Sequence, residues 1–241
     1  MDFKDFTIYL CRTSHPGNIG STARAMQTMG FENLSLINPK QFPADEATAL
    51  ASNAKPLLET AQVFSDIKTA LAEQHYVIGF TARKRELTQP HYNLKDLPYE
   101  LITIKKNQNI AILFGNETNG LSNEEIKYCN SLCYIDSEPS AASLNLAQAV
   151  QICCYQLKMS LKDKQSNLIT EKPPKNFVTS ERMNGFYDHL ETTLDALGFL
   201  KKIQAERLMH RLRLLFNRTQ MDEEELNILR GILAEIQKKI K

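Results

Sequence analysis

Two rhythms of apolar and polar positions alternate along the first two-thirds of the chain. Residues 6–11 form a short strand-like apolar run, and 18–29 then carry apolar residues at helical spacing up to Gly30. The pair repeats: 34–38 is strand-like and 44–54 helical, followed by a helix at 66–73 and a strand at 76–80. Residues 110–114, Ile-Ala-Ile-Leu-Phe, are apolar without a break, as a parallel strand covered on both faces requires. Ser122 and Glu125 have capping-box spacing and open a helix to about 129. Residues 132–135 read as a further strand and 144–161 as a long helix. This alternation predicts an α/β domain over 1–161, with a parallel sheet flanked by helices.

The rhythm then changes. Residues 162–180 are polar and contain Pro173-Pro174, which predicts a linker. From 181 to 241 only helical spacing remains. Leu190, Leu194 and Leu197 share one face, with Gly198 as the stop. Leu208, Leu212, Leu215 and Phe216 share another. The last helix opens at Asp222 with Glu225 as its capping partner, and carries Leu226, Leu229, Ile232, Leu233, Ile236 and Ile240. A small all-helical C-terminal extension is predicted.

Composition narrows the class. Hydrophobic residues at 42% and charged ones at 24% suit a soluble globular protein, and the longest apolar runs fall far short of a membrane span. The first residues carry acids and no apolar signal core, so a cytoplasmic protein without a membrane partner is expected. Five cysteines, an odd number with no C-x-x-C pair, argue against a disulfide framework or a zinc site, and the histidines lack ligand spacing; no metal is expected. The net charge of +1 lends nucleic-acid binding no support. Local clustering does: Lys201, Lys202, Arg207, Arg211, Arg213 and Arg218 lie close together with Glu206 as their one acid, and Arg207 and Arg211 share a helix face.

Three segments carry candidate chemistry, and each follows a predicted strand. His-Pro-Gly-Asn-Ile-Gly-Ser-Thr-Ala-Arg at 15–24 offers Gly17 and Gly20 for close approach, Asn18 as a helix cap, and a helix N-terminus suited to an anion. The run from Gly20 to Ala23 suits a close helix-packing face equally well. Phe-Gly-Asn-Glu-Thr-Asn-Gly-Leu at 114–121 sets two glycines around a carboxylate and two amides, where ligands of open α/β sheets bind. It is neither G-x-G-x-x-G nor a Walker loop. Ser-Ala-Ala-Ser-Leu-Asn-Leu-Ala at 140–147 opens the long helix, with Ser140 or Ser143 as its cap.

In that order the segments resemble the motifs of the SPOUT superfamily of RNA methyltransferases, in its ribose-methylating branch: 18–24 the first, 114–121 the second and 143–147 the third. Residues 190–200, 212–218 and 225–233 resemble the helical extension of members that methylate the ribose 2′-hydroxyl of cytidine or uridine 32 in the tRNA anticodon loop. The resemblance implies a deep trefoil knot near the C-terminal end of the sheet domain, over roughly 76–160, and a homodimer whose partner completes each RNA site. It implies S-adenosylmethionine as cofactor, held by Phe80, Thr81 and Ala82, by Gly115, by Ile135, and by Ala142, Ser143 and Leu144. Arg24, Asn18, Ser143, Glu117 and Asn145 match the polar catalytic positions, and Arg83 or Arg85 would reach RNA phosphate alongside Arg207 and Arg211. Two residues depart from the pattern: Asn116 stands where many members carry arginine, and Ala142 where a second serine is common. The competing readings are methylation of another tRNA or ribosomal RNA ribose, a catalytically silent RNA-binding member, and a nucleotide-binding regulatory domain.

Overall fold

Seven short strands built from those apolar runs form one parallel sheet in the computed structural model, which describes residues 2–82, 89–101, 104–138, 140, 143–163, 175–201 and 204–240. Arg83, Arg85, Ala142 and Lys202 lie outside the described residues. Along the chain run β1 (Phe6–Cys11), α1 (Pro16–Met29), β2 (Asn33–Ile37), α2 (Asp45–Ala51), α3 (Lys55–Glu59), β3 (Gln62–Phe64), α4 (Ile67–Ala70) and β4 (Tyr76–Phe80). There follow β5 (His91–Asn93), α5 (Leu97–Leu101), β6 (Ile110–Phe114), α6 (Asn123–Ile126), β7 (Ser131–Tyr134) and α7 (Leu146–Asp163). The strand order is β3-β2-β1-β6-β4-β7-β5. The central β6 pairs with β1 and β4, which explains its unbroken apolar run: all five of its residues are buried. Strands β3 and β5 are three-residue edge strands, too short for a periodicity to declare them.

Alternate strand residues feed two cores. Ile8, Leu10, Ile78, Phe80, Ile112 and Phe114 face a layer that contains α1, α2 and α7. Tyr9, Cys11, Val77, Ala111 and Leu113 face α4 and α6. The small-residue face of α1 is used for packing: a Cβ on Gly20 would overlap the backbone of Ala47 in α2. The five cysteines are buried and free, and burial raises their thiol pKa values.

The extension consists of α8 (Ser180–Ala196), α9 (Ala205–Asn217) and α10 (Glu223–Ile240), around a core of its own. Asp222 and Glu225 exchange the expected capping-box bonds, and Gly198 takes φ +70° after α8. The inward faces differ in detail from the periodicity. Met209 and Leu214 are buried on α9 while Leu215 is exposed, and on α10 Leu226 and Leu233 are buried while Ile232 and Ile240 are exposed. Arg213 is not part of a solvated stripe. Its guanidinium lies 4.4 Å from the centre of the Tyr187 ring and donates to Asn184, joining α9 to α8.

The extension packs on the edge where the strands begin. Phe177 is buried in the sheet domain's core, 5.9 Å from Tyr76 ring to ring, and its backbone exchanges two hydrogen bonds with the Gln108 side chain. The Asn217 amide donates to Lys127 O at 2.7 Å, and Asn130 donates to Asn217 O at 3.1 Å. No helix among the described residues is long and apolar enough to cross a membrane.

Candidate active site

The ends of β4, β6 and β7, together with the approach to α7, surround a cavity of about 320 Å³. That is large enough for a small organic ligand. Phe80, Thr81 and Ala82 line it after β4, Gly115 after β6, Ile135 after β7, and Ser143 and Leu144 before α7. These are seven of the eight positions expected to hold the cofactor; Ala142 is the eighth and lies outside the described residues. Leu121 and Leu146, apolar members of the second and third segments, and Ala149, outside all three, add apolar wall.

The loop at 115–121 is folded back on itself. A Cβ on Gly115 would overlap the backbone of Gly120 and Leu121, so only glycine permits this turn. Gly120 sits at φ +66°, and its N–H donates to Asn116 O at 2.7 Å. The Asn116 side chain accepts from Thr118 N–H, and donates to Arg12 O at 2.8 Å and to Ser14 Oγ at 2.6 Å. The amide at the position noted as a departure from the family pattern therefore ties the loop to the end of β1.

One chain of hydrogen bonds joins the three motifs. Asn145 Nδ2 donates to Asn18 Oδ1 at 3.0 Å, and Asn18 Nδ2 donates to Glu117 Oε1 at 2.9 Å. Glu117 also accepts from the backbone N–H groups of Ser14 and His15. Partial burial works against the charge of Glu117, but these donors outweigh it and hold the carboxyl below its ordinary value. The anion at the head of α1 is thus Glu117 itself. Asn18 does not cap that helix: His15 is the N-cap and makes no side-chain cap bond, which leaves the amide of Asn18 free to link Glu117 with Asn145. Neither Ser140 nor Ser143 caps α7. Asn145 does, accepting from Ala147 N–H at 2.9 Å and Gln148 N–H at 3.3 Å.

A family model described as the SpoU rRNA Methylase family matches residues 5–155, more than half of the chain. The chain belongs to that family.

A second model, the C-terminal domain of the tRNA methyltransferase TrmJ, matches residues 181–241. The chain is 38% identical over 235 residues to the tRNA (cytidine/uridine-2'-O-)-methyltransferase TrmJ of Photorhabdus laumondii, covering 98% of each. It is 39% identical over 241 residues to the TrmJ of Escherichia coli K12, covering 99% of this chain and 97% of that one. Among solved structures, TrmJ from Z. mobilis ZM4 superposes with a TM-score of 0.84 at 28% identity, covering 96% of this chain and 98% of that one.

Within this SpoU fold the remaining candidates stand apart from the cavity. Arg24 is exposed on α1, and its guanidinium makes no hydrogen bond or ion pair with another described residue. Arg207 and Arg211 are exposed on α9. Among the described residues no group of acids, histidines and cysteines has the arrangement of a metal site. Sequence reasoning missed Arg12, which sits at φ +53° one residue past β1. The signal available was position alone: it follows a strand at the edge where open α/β sheets bind ligands.

Proposed function

We propose that the chain is an S-adenosylmethionine-dependent methyltransferase acting on the ribose 2′-hydroxyl of cytidine or uridine 32 in the tRNA anticodon loop. We further propose that it works as a cytoplasmic homodimer, with the sheet domain knotted over roughly 76–160. The observation that carries this reading is the Asn145–Asn18–Glu117 chain at a cavity whose lining matches the expected cofactor positions. Near-complete coverage of the TrmJ relatives supports the choice of substrate.

The residues present fit the cofactor. The Gly115 turn, too tight for any Cβ, gives a backbone-lined cradle; Leu121, Ile135 and Leu144 supply apolar wall, and Glu117 a carboxylate that suits a cationic ligand. When bound, S-adenosylmethionine supplies an activated methyl group on a sulfonium. The chain's own task is alignment, which contributes several kcal/mol and up to about 7–11 in the best intramolecular cases. Ser143, exposed at the cavity wall, orients the ribose hydroxyl. Asn18, fixed between Glu117 and Asn145, presents the ribose edge. Arg24, two turns further along α1, clamps the neighbouring phosphate and stabilises the developing alkoxide by its charge, because a guanidinium does not give up its proton in a protein. On this reading 1–161 does the chemistry, 162–180 connects, and the exposed Arg207 and Arg211 of the 181–241 extension meet tRNA phosphate, a role also assigned to Arg83 or Arg85.

The test is methyl transfer from labelled S-adenosylmethionine to unmodified tRNA, comparing an all-ribose transcript with one carrying a single 2′-deoxyribose at position 32. Loss of transfer with the deoxy substrate is expected. Equal transfer to both moves the target to another nucleotide, and none to either removes the assignment.

A further inference from the structure

Arg12 lies outside all three motifs and does not line the cavity, yet it holds the loop that does. Its guanidinium grips the Glu125 carboxylate with two hydrogen bonds, Nε to Oε1 and Nη2 to Oε2, each 2.8 Å. The same Nη2 donates to Gly120 O at 3.1 Å. Gly120 is the residue whose backbone presses on Gly115, so its position determines the shape of the cradle. The arrangement is fixed from several sides. Glu125 is buried, and its second role is to accept from Ser122 N–H in the capping box of α6. Burial opposes the Glu125 charge, but Arg12 and Ser122 overcome it and hold the carboxyl below its ordinary value. The Arg12 backbone is pinned as well, its N–H donating to Ile37 O and its carbonyl accepting from Asn116. Arg12 thus ties the end of β1 to both ends of the segment 116–125, side chain at one and carbonyl at the other.

We propose that Arg12 is a positioning residue for the cofactor cradle: its planar fork, engaged by Glu125, sets Gly120 and through it the Gly115 turn. The inference rests on the cofactor reading above. It depends on the fork rather than the charge alone, because a lysine ammonium pairs with Glu125 but does not reproduce the paired contact together with the bond to Gly120.

Arg12→Ala leaves a buried carboxylate without its partner and endangers folding, so Arg12→Lys is the decisive variant. Binding of S-adenosylhomocysteine is measured by calorimetry on the full-length wild type, Arg12→Lys, and Lys68→Ala. The last removes an exposed ion pair to Asp188 far from the cradle. Arg12→Lys is expected to weaken binding by about tenfold and to raise KM for S-adenosylmethionine at a nearly unchanged kcat, while Lys68→Ala matches the wild type. A merely structural role lowers the folded fraction, and with it kcat, but leaves Kd and KM where they were; that result overturns the proposal, as does wild-type affinity in Arg12→Lys. A wild type that binds no cofactor removes the functional reading itself, which is a distinguishable outcome.

Discussion

The strands that end at the cavity begin against the helical extension, and the two ends are held by different chemistry. Strand β4 starts at Tyr76, packed on Phe177, and finishes at Phe80 on the cavity wall. At the starting edge the central contacts are buried and neutral: Phe177 is 4% exposed, Asn217 is 7% exposed, and Gln108, Asn130 and Asn217 bond backbone groups, while charge enters beside them at Glu100, which accepts from Gln220, and in the exposed Lys68–Asp188 pair. At the finishing edge the contacts are charged and partly open to water: Arg12 with Glu125, and Glu117 with Asn18 and two backbone N–H groups. Buried neutral contacts resist local opening, whereas a solvent-facing polar network can rearrange at lower cost. One edge therefore serves cohesion of the two parts, and on the proposed function the other serves ligand binding.

Substitutions at the two edges should separate stability from binding. The largest effect is expected from Phe177→Ala, which empties a buried aromatic site and costs about 3–5 kcal/mol of unfolding free energy. Chemical denaturation measures that loss, and cofactor affinity of the molecules still folded should be unchanged. A large loss of affinity would mean that the edges are not independent. Gly115→Ala is the mirror experiment. Its added Cβ collides with the backbone of Gly120 and Leu121, and overpacking of this kind costs about 1–3 kcal/mol. Because the collision lies in the cradle, binding measured by calorimetry should fall by about ten- to a hundredfold.

The finishing edge was the more legible of the two in the sequence. Its glycines, amides and serines are concentrated in three short segments after apolar runs, and the cavity forms where those runs end. Which amide did what was not legible. Asn18 does not take the capping role expected of it, and Asn145 takes the one expected of Ser140 or Ser143, because capping depends on backbone geometry at 15–18 and 143–146 that composition does not express. Arg12 went unseen since its partner Glu125 is more than a hundred residues away in sequence. The starting edge was hidden for a related reason. Phe177 stands in a polar stretch read as a linker, and its burial depends on Tyr76 and Gln108, whose proximity only the folded sheet creates. Arg213 looked like one more surface cation until Tyr187 and Asn184 were beside it.

A smaller effect at the finishing edge tests the hydrogen-bond chain. Asn145→Ala removes the cap of α7 and the donor to Asn18 together. The cap alone accounts for about 1 kcal/mol of stability. Asn145→Asp keeps an acceptor for the helix N–H groups but cannot donate to Asn18. Stability should therefore return in Asn145→Asp while single-turnover methyl transfer stays low. Recovery of both would reduce Asn145 to a helix cap and cut the third motif out of the site.

The smallest and most specific difference between the edges is their response to acid. The Glu117 and Glu125 carboxyls are both held below the ordinary value of 4.5 in the folded protein. A depressed carboxyl contributes stability that is fully present above its unfolded pKa and is lost as pH falls through the lower folded value. The amide contacts of the starting edge do not titrate in this range. As the pH is lowered from 6 to well below 4.5, the amides of Ser14 and His15, which donate to Glu117, should lose hydrogen-exchange protection once intrinsic rates are corrected. The amides of Phe177 and Val178, bonded to Gln108 and Met221, should keep theirs. Glu117→Gln should flatten the response of Ser14 and His15 without touching Phe177. If both edges lose protection together, acid acts on global unfolding and the division between them fails; if only the finishing edge opens, its carboxylates are what hold the first motif against the second.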